Sequence, residues 1–183
     1  VYAVIDIDGT VADETARRLA ATDEQGKMDW DAYFRAADVD RDPPIPDAAT
    51  VLSSVHAAGV AIAYVSSRPE SLRETTAAWL DRYQFPTGDL ILRGKYQRTH
   101  EFKSAALQRL AQSGTIAFAA GDREQDLEVY RAAGVPAVHV TGVEAGVWRA
   151  LAPQIGGALA AAGIAWSAPA VVAPAEGPNT PRK

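Results

Sequence analysis

Two carboxylates, Asp6 and Asp8, end an apolar run and open onto a Gly-Thr turn in Val4-Ile5-Asp6-Ile7-Asp8-Gly9-Thr10. Residues 1–7 read as a buried β-strand that stops where the acids begin. A buried carboxylate without a partner is costly and two close together repel, so the pair calls for a cation. A hard divalent ion, which prefers oxygen ligands, would supply one. One acid can then stay ionised as ligand or nucleophile while the other moves a proton. A solvated acidic turn capping the next segment is the plainer reading of the same residues.

Later features repeat the design. The apolar run at 61–65 ends in Ser66-Ser67-Arg68-Pro69, and the run at 116–120 ends in Gly121-Asp122-Arg123-Glu124-Gln125-Asp126. Between them, Lys103 stands out by its spacing to Asp122, with Lys95 as the competing candidate. Each run delivers polar residues at its carboxyl end, the edge of an open α/β sheet where ligands bind. Asp126 falls one helical turn beyond Asp122 on the same face, as a metal ligand or as a partner of one.

The elements that must position these residues are legible too. Apolar strands near 1–7, 60–65, 89–92, 115–120 and 135–140 alternate with helical stretches, the pattern of a mainly parallel α/β sheet. Pro69 suits the first position of a helix over 69–84, where Leu72, Thr76, Trp79, Leu80 and Tyr83 recur at helical spacing. Phe102, Ala106, Leu107 and Leu110 mark a second helix over 101–112, and Gly134-Val135-Pro136 stops a third over 123–133. Trp30, Tyr33, Phe34 and Ala37 make one apolar helical face, for packing or for a small flap over the site. Val147, Trp148, Leu151 and Ile155 fit a last helix that Pro153 limits or kinks.

The ordered set Asp6-Ile7-Asp8-Gly9-Thr10, Ser66, Lys103 and Gly121 to Asp126 resembles the four motifs of the haloacid dehalogenase (HAD) superfamily, over roughly residues 1–142. Within it the chain is similar to the phosphatase domain of polynucleotide kinases, on Asp29-Trp30-Asp31-Ala32-Tyr33-Phe34, Ser67-Arg68-Pro69-Glu70, residues 73–80 and Leu90-Ile91-Leu92-Arg93. Arg98-Thr99-His100-Glu101-Phe102-Lys103 departs from the Arg-x-Asp-like stretch that relatives carry before the lysine. The resemblance implies a Rossmann-like HAD fold, capless or minimally capped, and hence an open site. It also implies Asp6 as nucleophile, Asp8 as general acid and base, Ser66 and Lys103 around the phosphoryl group, and Ser66, Ser67, Arg68 and Arg93 as substrate contacts. Mg²⁺ would be held by Asp6, Asp122 and Asp8 through its main-chain carbonyl, with Asp126 as a further ligand or a partner of one.

Composition bounds the rest. At 183 residues the chain suits one well-cored domain. The expected division is a HAD-like phosphatase domain at 1–150 and an Ala/Pro/Gly-rich tail at 151–183, partly disordered, particularly from 167. A start in the first strand with Val rather than Met fits a piece of a longer protein. The absence of cysteine excludes disulfides and thiolate metal sites and fits a cytoplasmic protein. No run of 18 or more apolar residues indicates a membrane span. A net charge of −5 argues against a broad nucleic-acid-gripping face, although Arg93, Lys95, Arg98, His100 and Lys103 form a local basic stretch.

The leading reading is a Mg²⁺-dependent phosphomonoesterase acting on nucleotides or 3′-phosphorylated nucleic-acid ends, with no protein partner indicated. The alternatives are a phosphatase of a small metabolite and a catalytically silent HAD-fold binding module. A receiver-type signalling domain is excluded because Ser66-Ser67, not an acid, ends the second strand. No Gly-x-x-x-x-Gly-Lys loop encodes a kinase here.

Overall fold

The computed structural model describes residues 1–95 and 97–170. Most of the tail expected from 167 therefore lies outside the described residues. Five strands form one parallel sheet: β1 (Tyr2–Ile5), β2 (Ala61–Pro69), β3 (Gly88–Arg93), β4 (Ile116–Gly121) and β5 (Ala137–His139), in the order β3-β2-β1-β4-β5. Val4 on β1 pairs with Ala63 on one side and Ala119 on the other. β1 is thus central, which explains its unbroken apolar run: a strand covered on both faces has no polar side to show. The chain runs outward from β1 through β2 to β3, then crosses to β4 and β5. The reversal at β1 is a topological switch point, where crevices open at the strands' carboxyl ends.

Helices cover both faces. On one side α4 (Ala48–Ala57), α5 (Arg73–Arg82), α8 (Val147–Ala150) and α9 (Ala152–Ala161) pack over a core including Ile62, Tyr64, Trp79, Phe118 and Trp148. On the other, α6 (Thr99–Ser113) and α7 (Glu124–Ala132) pack Phe102, Leu107, Leu127 and Tyr130 against Val4, Val65 and Ala119.

Two expectations need correction. The domain does not stop at 150: Leu151, Ile155 and Leu159 are buried in the main core, and the Trp166 indole N–H donates to Ser54 Oγ at 3.0 Å. The alanine-rich composition that resembled a tail is that of a small-residue helix lying close on the sheet. The aromatic face at 30–37 is also not one helix. After the short α1 (Thr15–Ala20), α2 (Trp30–Tyr33) and α3 (Ala36–Val39) are single turns, separated where Arg35 is extended, and Ala37 is exposed. Asp29 starts α2 by accepting from the N–H groups of Asp31 and Ala32 at 3.0 and 3.1 Å, as an N-cap should.

Candidate active site

The carboxyl ends of β1, β2 and β4 converge, and the residues singled out by spacing meet there. Asp6 leaves β1 with Oδ1 accepting the Ile7 N–H at 2.8 Å, which fixes its carboxylate. Lys103 reaches it from the first turns of α6: Nζ donates to Asp6 Oδ2 at 2.8 Å and to Asp126 Oδ2 at 2.7 Å. Lys103 is only 1% exposed. The amphipathic helix dictates this, because Phe102 and Ala106 face the sheet and carry Lys103 inward with them. Asp126 sits in the first turn of α7 and is likewise buried.

Asp122 follows β4 directly. Gly9 lets the two acidic loops close on one another: its φ of +74° belongs to the left-handed region, and a Cβ there would stand 2.3 Å from Asp122 Oδ2. The turn is held from behind by Trp148, whose indole N–H donates to the Thr10 carbonyl at 2.8 Å. Asp6, Asp122 and Asp126 each offer a carboxylate oxygen, all within 4.8 Å of one another, and Asp122 Oδ1 is buried without a hydrogen bond. Lys103 bonds two of these three acids and Arg123 acts on Asp122, which still leaves one negative charge in excess. Burial, opposed by Lys103 and aided by Asp126 and Asp122, pushes the Asp6 carboxyl up to about 7. Burial also raises Asp122. Lys103 is held firmly charged: burial works against the ammonium, but Asp6, Tyr130 and Asp126 overcome it. An orphaned oxygen beside a charge-deficient trio fits a hard divalent cation such as Mg²⁺. The Asp8 carboxylate is not among the three.

Asp8 is instead gripped by two arginines. Arg68 donates from Nη2 to Asp8 Oδ1 at 2.7 Å and from Nε to both oxygens at 3.1 and 3.2 Å, and Arg17 Nη2 reaches Oδ1 at 2.5 Å. Burial pushes the Asp8 carboxyl up, but Arg68 and then Arg17 overcome it and hold it at about 2.

A cavity of about 220 Å³ opens over Asp6, Lys103 and Asp126, lined also by Ser66, Ser67, Arg93 and Arg123 and by Trp30, Tyr33 and Phe34. Ser66 is fully buried in the carboxyl-terminal half of β2, and its Oγ accepts from the Arg68 N–H at 3.2 Å. Arg93 braces the wall through the carbonyls of Ser67 at 3.1 Å and Gln97 at 2.9 Å. Arg68 must be moved from the substrate side to the interior: it is 0% exposed and spent on Asp8 and Thr76. Thr99 rather than Arg98 lines the cavity, and Lys103 rather than Lys95 meets Asp6. Sequence reasoning missed Arg17, Asp42 and Arg123. Arg17 and Arg18 read alike in a chain of letters, and only the fold shows that one is buried. Arg123, next to Asp122, was quoted within its motif but given no role.

The sequence profile of the HAD superfamily, subfamily IIIB (Acid phosphatase), matches residues 2–138. Solved structures of similar fold include the Pnkp1/Rnl/Hen1 complex, with a TM-score of 0.62 at 23% identity over 76% of this chain and 45% of that one. The class C acid phosphatase from Bacillus anthracis gives 0.56 at 23% identity, over 68% of this chain and 52% of that one. A predicted phosphatase from Clostridium acetobutylicum gives 0.59 at 17% identity, over 84% and 89%. This chain thus spans about half the length of the first two. No curated protein sequence matches it. Among the described residues no helix is long and apolar enough to cross a membrane. Profile, parallel sheet and the four motifs at its carboxyl edge agree: the chain belongs to the HAD superfamily, where it matches subfamily IIIB (Acid phosphatase).

Proposed function

We propose that the protein is a Mg²⁺-dependent phosphomonoesterase that works through an aspartyl phosphate on Asp6 and acts on nucleotides or 3′-phosphorylated nucleic-acid ends. The observation that carries this reading is the Asp6–Lys103–Asp126 cluster on the cavity floor, with Asp122 Oδ1 unpartnered beside it. Asp6, Asp122 and the Asp8 carbonyl would hold Mg²⁺, which when bound would supply neutralising charge and polarise the phosphoryl oxygens. Asp126, joined to Lys103, stands as a ligand or as the group that orders the others.

The chain's residues divide the chemistry. Asp6 Oδ attacks phosphorus, the bond to the ester oxygen breaks, and that oxygen leaves with its electron pair and takes a proton from Asp8. Lys103 and the Ser66 hydroxyl face the phosphoryl oxygens, whose charge grows in the transition state. Water then attacks the phosphorus of the acyl phosphate, Asp8 takes its proton, and inorganic phosphate leaves Asp6 a carboxylate again. In the free protein Asp8 rests as the carboxylate, so donation requires it to load a proton as it loosens from an arginine. Incubation with substrate and Mg²⁺ followed by acid quench should trap a phosphoryl group on the protein that hydroxylamine releases. Phosphate release without any such species would remove the aspartyl phosphate, and no release from any phosphomonoester would remove the reading.

The nucleotide part rests on Trp30. It is 53% exposed, stacked on Phe34 at 6.0 Å and edge-on to Tyr33 at 5.6 Å, and it lines the cavity. An exposed indole on a capped turn beside a phosphate site offers a planar group a stacking face. Base–aromatic stacking is worth about 1–3 kcal/mol. Trp30→Ala should therefore lower kcat/KM on nucleoside monophosphates roughly 5- to 150-fold, a range set by that energy. Ribose 5-phosphate hydrolysis should be unaffected. Equal losses on both would leave Trp30 a packing residue. Removing Arg68 from the rim, with a net charge of −5, favours short substrates over long polymers within this reading.

A further inference from the structure

We infer that Asp42 is a positioning residue for the proton transfer, aiming Asp8 at the departing ester oxygen through Arg17. The inference rests on the phosphatase reading above and adds to it a residue that no motif marks. Asp42 does not line the catalytic cavity, yet it is only 4% exposed and takes most of the Arg17 fork. Arg17 Nε donates to Asp42 Oδ2 at 2.9 Å and to Oδ1 at 3.2 Å, and Nη2 donates to Oδ2 at 2.7 Å. The same Nη2 reaches Asp8 Oδ1 at 2.5 Å, and Nη1 donates to the Tyr33 carbonyl at 2.8 Å. Every nitrogen of the guanidinium is thus engaged, with the Tyr33 ring centroid 4.2 Å from its carbon on one face. Asp42 is itself anchored from another element, because the Trp79 indole N–H donates to its carbonyl at 2.8 Å.

Charge accounting explains why an acid is needed there. Arg17, Arg68, Asp8 and Asp42 form a buried group of two cations and two anions, with Arg68 Nη2 also 3.7 Å from Asp42 Oδ2. Without Asp42, two buried guanidiniums would share one carboxylate, and Arg17 would be free to turn onto Asp8 alone. Buried ion groups of this kind are weak stabilisers, since apolar residues of matching shape often do as well. What the arrangement does supply is direction: an Arg17 fixed by Asp42 and Tyr33 completes the grip that Arg68 has on Asp8 and settles where Oδ1 lies. A guanidinium fork suits this role because its donors are planar and rigidly spaced.

The leaving group separates aim from mere stability. An alkoxide leaving group needs Asp8's proton, whereas p-nitrophenolate departs without it. kcat/KM reports only steps through phosphoryl transfer, so the later water attack does not blur the comparison. General acid catalysis contributes about 10²–10⁴-fold, and misaiming forfeits part of it. Asp42→Asn should therefore lower kcat/KM on a nucleoside monophosphate roughly 10- to 100-fold while p-nitrophenyl phosphate changes less than about threefold. A double-mutant cycle guards against loss of fold, because Arg17→Gln with Asp42→Asn buries no uncompensated charge. In the Arg17→Gln background, adding Asp42→Asn should change the alkyl/aryl ratio by less than about twofold, the non-additivity expected of residues acting in series. An equal fall on both substrates, no fall on either, or additive effects in the cycle would each overturn the inference while leaving the phosphatase reading intact. Wild-type protein inactive on both substrates with Mg²⁺ would overturn the reading itself, and the inference with it.

Discussion

Asp6→Asn is expected to abolish turnover, by at least about 10⁴-fold, while leaving the metal-free fold as stable as the wild type or more so. An amide cannot attack phosphorus, and the other carboxylate on Lys103, Asp126, comes from the first turn of α7 rather than from the end of β1. The effect on stability follows from crowding. Asp6 and Asp126 share one lysine with Asp122 crowded beside them, and burial together with the other two acids drives the Asp6 carboxyl up to about 7. The unfolded carboxylate ionises near its ordinary 3.8 while the folded one holds its proton until about 7. The sign is therefore adverse: in chelator, wild-type stability should fall as pH rises between those values, with the unfolded state losing its proton first. Asparagine removes that ionisation and the repulsion with it, at the expense of one mismatched donor facing Ile7 N–H or Lys103 Nζ. Thermal melts in chelator across this pH range, paired with a phosphate-release assay, check both halves. Wild-type-like hydrolysis by the variant would end the assignment of Asp6 as nucleophile.

How far the sequence reached is clearest by comparing Lys103 with Arg17. Lys103 was legible because its neighbours Phe102, Ala106 and Leu107 declare a buried helical face, and because motif spacing fixes its distance from the last strand. The strands were legible for a similar reason: a doubly covered parallel strand has to be apolar throughout, and its first polar residue marks the sheet edge. Arg17 lies on the six-residue α1 and Asp42 in the loop after α3, stretches too short to show a period. Nothing local distinguishes a buried ion pair there from two solvated charges, since its partners are brought together only by the tertiary fold. Arg68 failed in the opposite sense. Its place after Ser66-Ser67 pointed at the substrate, but it still lies within β2, and the strand carries its side chain inward onto Asp8 rather than out to the rim. The extent of the domain was obscured by composition, because alanine and glycine serve a close-packed helix such as α9 as readily as they serve a tail.

Lys103→Met is expected to separate stability from catalysis. Methionine keeps the length and apolar stem of lysine but removes the charge shared by Asp6 and Asp126, the two bonds of 2.8 and 2.7 Å. Breaking a buried ion pair from one side typically costs about 3–5 kcal/mol, because the remaining charge is left without a partner. In chelator the variant should therefore melt well below the wild type, with the acids escaping part of the penalty by taking up protons. A divalent cation ought to reverse this. With the ammonium gone, the three carboxylates present a more negative site, so Mg²⁺ should raise the melting temperature of the variant further than it raises that of the wild type. Turnover should not return with the fold. The charge that meets the phosphoryl oxygens as they gain electron density is still missing, a deficit of roughly 10²–10³-fold for a transition-state contact of this kind. Melting curves with and without Mg²⁺, beside kcat at saturating Mg²⁺, give the two readouts independently. A smaller Mg²⁺ shift in the variant than in the wild type would place the ion away from the Asp6–Asp126 side of the cluster. Recovery of turnover along with the fold would reduce Lys103 to a structural counter-ion, and the neutralisation of the phosphoryl group would then fall to the metal and the cavity's arginines.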